Sequence, residues 1–117
     1  MKSTGEPNFD ILINNVKSSM VDFMLEYEPK YTQQDIDECT ELLIEYVINI
    51  HKTTNKAQAM KVVKDTILNL NLLNDRCDGT LIETNEREQI AEIIILASHQ
   101  MGYSSIDDDI TEEWREW

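Results

Sequence analysis

Apolar side chains in this chain recur at separations of three and four over four long stretches, and that periodicity admits little other than helices. From Asn8 to Glu28 the residues Phe9, Leu12, Ile13, Val16, Met20, Phe23, Met24 and Tyr27 gather on one helical face. Asn8 after Pro7 is the expected amino-terminal cap, and Pro29, which lacks an amide hydrogen, ends the segment. Thr32 with Asp35 three residues on has the form of a capping box and opens a second helix that runs to about His51. Its stripe is Ile36, Cys39, Leu43, Tyr46, Val47 and Ile50, with Asp37, Glu38, Glu41 and Glu45 mostly on the other side.

Asn55 and Gln58 form a further capping pair, and a third helix is expected from Lys56 to about Leu73. Met60, Val63, Ile67 and Leu70 make its core stripe, widened by Ala59, Val62, Leu68 and Leu73. Asn74 to Asn85 is the one clear loop, turning at Asp78 and Gly79, with Leu81 and Ile82 placed to plug the interior. Asn85 with Glu88 is expected to cap a fourth helix reaching Met101, buried through Ile90, Ile93, Ile94, Ala97 and Met101 and stopped by Gly102. In the tail, Ile106, Ile110, Trp114 and Trp117 keep helical spacing, so a short fifth helix is expected behind the aspartates at 107 to 109.

With 117 residues the chain has material for one core, and the predicted architecture is an all-α bundle of about four helices plus a terminal helical piece. The single domain spans 1–117, with residues 1–7 expected to be a flexible amino terminus. Three glycines and two prolines are too few for an all-β domain of this size. No apolar run approaches the roughly 18 residues that cross a bilayer, and no secretory signal is visible, so the expectation is a cytoplasmic protein without membrane contact. Cys39 and Cys77 are read as thiols, because two cysteines are few for a disulfide scaffold.

Acidic residues outnumber basic ones 23 to 10, giving a charge of −13. Such a surface is repelled by phosphate backbones and anionic lipid, which argues against nucleic acid as a partner. The charge is uneven: residues 52–74 hold one acid and four lysines, whereas 75–117 hold twelve acids and three bases.

Catalytic and metal-binding patterns do not assemble. An EF-hand frame with Gly79 at its sixth position puts Arg76 at the third and Asn85 at the twelfth, where a bidentate glutamate is needed. Cys39, His51, Cys77 and His99 are zinc-ligand types at separations of twelve, twenty-six and twenty-two, with no short pair among them. Both histidines fall near predicted helix ends, where an imidazole bonds terminal carbonyls or faces water. No Glu-x-x-His occurs for a di-metal bundle, and the glycines at 5, 79 and 102 cannot form a phosphate loop. The expectation is a protein that is not an enzyme and takes no cofactor or metal.

Residues 70–94, LNLLNDRCDGTLIETNEREQIAEII, together with the ending DITEEWREW, resemble small acidic bacterial proteins of unknown function. The resemblance implies a bacterial helical protein, and its general type is similar to immunity proteins, which occupy a cognate toxin. It transfers no site residue. From the residues themselves, the candidate partner-binding set is Asp75, Asp78, Glu83, Glu86, Asp107, Asp108, Asp109, Glu112, Glu113, Trp114 and Trp117. The tryptophans either close the bundle or anchor a partner. The expected function is an acidic module that inhibits a basic protein; the alternative is an adaptor that self-associates or docks through apolar helix faces such as Leu68 to Leu73.

Overall fold

The computed structural model describes residues 3–117. Its helices are α1 (Pro7–Tyr27), α2 (Gln33–Ile50), α3 (Lys56–Arg76) and α4 (Thr84–Gln100), with no strand among the described residues. The chain is an all-α bundle.

Three contacts give the direction of the helices. Phe9, early in α1, meets His51 just past α2, with ring centroids 6.3 Å apart. Arg76 at the end of α3 bonds Asp35 and Glu38 in the first turns of α2. Ser19 in α1 donates to Glu86 in the first turn of α4. Successive helices are therefore antiparallel, and α2 packs on each of the other three. That central position explains its wide buried face, which adds Thr40 and Ile44 to the six predicted residues. Burying a leucine or isoleucine completely contributes about 1.5–3 kcal/mol, so this face is the main source of cohesion. Across it the Tyr46 hydroxyl donates to the Ile94 carbonyl at 2.6 Å, and burial pushes the phenol pKa up, keeping the donor protonated.

Helix ends depart from expectation where tertiary contacts outweigh local preference. Pro7 is the first residue of α1 and Glu6 its cap, so Asn8 is inside the helix. Proline suits that position because the missing amide hydrogen would have no partner there anyway. The flexible terminus expected over 1–7 falls partly on residues 1 and 2, which lie outside the described residues. Of the remainder, the Ser3 hydroxyl and the Thr4 amide donate to Asp10 at 2.6 and 2.9 Å. α3 continues to Arg76 rather than stopping at Leu73, and Asn74 is buried within it, accepting the Ile82 amide at 2.9 Å. α4 starts at Thr84 behind Glu83, two residues before the expected Asn85 cap. As predicted, Leu81 and Ile82 are buried.

α3 and α4 scarcely touch, and the tail bridges them. Tyr103 and Ser104 are fixed at the end of α4, through Ser98, and at Thr53 in the α2 to α3 connection. The tail then returns along α3 to Asn71, packing Ile110, Trp114 and Trp117 against the core. The short helix expected there takes the form of consecutive turns, with one helix-like bond from the Arg115 amide to the Thr111 carbonyl. Asp109 explains the interruption: its carboxylate accepts both the amide and the hydroxyl of Thr111, a local bond that competes with helical pairing. No helix is long and apolar enough to cross a membrane among the described residues.

Candidate functional site

The eleven candidate residues divide into two groups. Asp75, Asp78, Glu83 and Glu86 lie around the connection between α3 and α4. Here the Gly79 amide bonds the Asn74 carbonyl at 2.8 Å and the Asp78 amide bonds the Asp75 carbonyl at 2.9 Å, which is the Schellman pattern. Asp78 is the left-handed residue of that cap, φ 57°, and its carboxylate pairs with Lys30 at 3.1 Å. Glu83 is exposed and caps α4. Glu86 corrects the expectation of a uniformly exposed acidic set. It is only 7% exposed, accepts the Glu83 amide at 3.2 Å and the Ser19 hydroxyl, and so joins α4 to α1.

The second group lies on the tail. Asp107, Asp108, Glu112 and Glu113 are exposed, whereas Asp109 is engaged with Thr111 and lies 3.8 Å from the Arg115 guanidinium. Trp114 and Trp117 are half-buried and pack on the core. The side-chain amide of Asn71 donates to the Trp114 carbonyl at 2.8 Å and accepts the Glu116 amide at 3.1 Å, as an adjacent strand would. Arg115 stands over the Trp117 ring, 5.8 Å from its centroid, and the Trp117 Nε1 is buried without a hydrogen-bond partner. Both tryptophans thus help close the bundle.

A third region escaped the candidate set. Between α2 and α3 two adjoining depressions of about 340 and 140 Å³ share Leu42, and a third of about 280 Å³ lies beside them on the surface of α2 alone. Glu38, Glu41 and Glu45 of α2 and Asp65 of α3 line them, with Leu72, Leu73 and Val62 among the apolar members. Leu72 is 67% exposed. The sequence signal was present but unused: acids at spacings of three and four around Leu42, facing a leucine outside the α3 core stripe.

No family model, curated protein or solved structure matches this chain. Cys39 and Cys77 are free and buried; burial pushes their thiols up to about 12 and about 11, with the Asp35 carboxylate adding to the effect at Cys77. Both are protonated at neutral pH and unsuited to nucleophilic attack. The Nδ1 of His51 lies 2.7 Å from the Val47 carbonyl, and that of His99 lies 3.0 Å from the Ser104 carbonyl. Each imidazole is occupied at a helix end, as its position suggested. Among the described residues no group of three or more histidine, cysteine or acidic side chains is arranged to hold a metal ion.

Proposed function

We propose that this chain is a non-enzymatic, acidic protein-binding module whose partner is a basic protein, in the manner of an immunity or antitoxin protein that masks a cationic toxin. The observation that carries the reading is a charge of −13 displayed largely on exposed carboxylates, with Asp107, Asp108, Glu112 and Glu113 on one short stretch. A nuclease site is cationic because it holds phosphate, so an anionic protein of matching shape is steered to it and competes with substrate. The test is association kinetics with the basic protein retained from the native cell at low ionic strength. The on-rate should fall at least about tenfold as the Debye length shrinks from about 30 to 8 Å. A rate indifferent to salt rejects the proposal.

Leu25, Leu72 and Tyr27, respectively 73%, 67% and 62% exposed, favour a second reading as an adaptor that self-associates or docks through apolar contacts. Sedimentation across a concentration series distinguishes the two, since a tight homodimer at low concentration supports the adaptor.

A further inference from the structure

Bases outnumber acids in α3 alone among the four helices: Lys56, Lys61, Lys64 and Arg76 stand against Asp65 and Asp75. The outward face of α3 also carries Leu68 and Leu72, 40% and 67% exposed, which the core leaves uncovered. At about 100° of turn per residue the two leucines stand about 40° apart, with Lys64 and Asp75 together on one flank of them, about 20° from each other. Both charged residues are exposed and take part in no ion pair among the described residues. The other charges nearby are occupied within the chain, Lys61 by Asp65 and Arg76 by Asp35 and Glu38.

We infer that this face pairs with the same face of a second copy, the two α3 helices running antiparallel about a twofold axis. The order of the side chains selects that occupant. When Leu68 of each copy lies opposite Leu72 of the other, Lys64, four residues before the leucines, faces the segment just after them, where Asp75 stands. A twofold axis across two antiparallel helices keeps like flanks together, so each Lys64 meets Asp75 of the second copy. Two reciprocal ion pairs then form from groups that have no such partner in the single chain. A purely basic partner would meet Lys64 with like charge, and a phosphate backbone would meet Asp75 and gain nothing from the leucines. What fits is an acid, an apolar pair and a base in reverse order, and the face supplies that order itself when turned end for end. This rests on the second reading, an adaptor that self-associates or docks through apolar contacts, and names both its face and its partner.

Sedimentation of the full chain across a concentration series reads the dimer dissociation constant. Leu68→Ser with Leu72→Ser should raise it at least about a hundredfold, whereas Ile11→Ser with Leu25→Ser, at exposed apolar positions on α1, should change it by less than about threefold. Lys64→Glu alone, or Asp75→Lys alone, sets like charges together at both pairs and should raise it about tenfold. A chain carrying both charge substitutions should return to within about threefold of the original, because the pairs reform with their signs exchanged. An equimolar mixture of the two single variants should likewise associate about tenfold more tightly than either alone, a recovery that damage to folding does not produce. A monomer at every concentration overturns both the face and self-association. Absence of recovery in the mixture, or a dimer weakened by the α1 substitutions and indifferent to those on α3, overturns the face while leaving a self-associating adaptor that uses another surface.

Discussion

Two acid-rich stretches, residues 75–86 and 107–117, look alike as sequence and use their carboxylates differently. The first must reverse the chain between two helices while burying Leu81 and Ile82, so its polar groups are drawn into the turn. Asp78 takes the left-handed cap and pairs with Lys30, and Glu86 goes inside to hold Glu83 and Ser19. The second is fixed instead by Asn71 and by aromatic packing, and that arrangement leaves Asp107, Asp108, Glu112 and Glu113 at the surface. Acid density along a chain therefore does not measure acid available to a partner. What decides is whether the backbone nearby needs those carboxylates.

The largest effect expected from this contrast is at Glu86. Glu86→Ala leaves the Glu83 amide and the Ser19 hydroxyl without their acceptor in a poorly hydrated site and should cost about 2 kcal/mol in urea unfolding. Glu112→Ala, the tail counterpart, should cost no more than about 0.5 kcal/mol. Equal costs would erase the distinction. Next is Asn71→Ala, which removes both bonds to the tail backbone and should cost about 1–2 kcal/mol. Both tryptophans of the chain lie in the tail, so its release should red-shift their emission while the helical circular dichroism of α1 to α4 persists. Simultaneous loss of both signals would mean that the tail and bundle unfold as one unit.

The interior was legible in the sequence because helical spacing sorts side chains before any contact is known. All six residues of the predicted α2 stripe are buried, and Ile90, Ile93, Ile94 and Ala97 are buried in α4. Capping was legible where it is local, as at Thr32 with Asp35 and at Asn55 with Gln58. It was misread at α4 because asparagine is the better intrinsic cap, whereas the start of that helix is fixed by Glu86 reaching Ser19 on α1, a partner 67 residues away. Asn85 turns the same way, donating to Ser19 at 3.0 Å. Leu68 was assigned to the α3 core and is 40% exposed, since the spacing marks a face but not how far it is covered. The depressions at Leu42 were legible only in part: the acids around Leu42 stand out at spacings of three and four, but a groove belongs to two helices, and neither sequence segment shows its depth.

A smaller effect concerns acid. Asp35 accepts the Thr32 amide at 2.9 Å and lies beside Arg76, interactions that hold its carboxyl below the ordinary value of 3.8. Asp10 is lowered likewise by the Ser3 hydroxyl and the Thr4 amide. A folded-state value below the unfolded one gives stability that is present above about pH 4 and lost as pH falls through the folded value. Asp35→Asn should therefore flatten the acid limb of the stability curve below about pH 4, by under about 1 kcal/mol because the site is solvent-screened. An unchanged limb would show that Asp35 is equally stabilised in the unfolded chain.

The smallest effect is also the one that separates surface charge from structure most directly. Asp108→Asn with Glu112→Gln leaves untouched Asp109, which Thr111 requires, and removes two exposed charges from a crowded acidic stretch. Relief of like-charge repulsion should make the variant more stable by no more than about 0.5 kcal/mol at low ionic strength, and the gain should vanish near 1 M salt, where the Debye length is about 3 Å. The same substitutions should slow association with a basic partner at low salt, since distant charge steers encounter even where it does not dock. A variant destabilised at every salt concentration would place these carboxylates with Glu86, as parts of the scaffold.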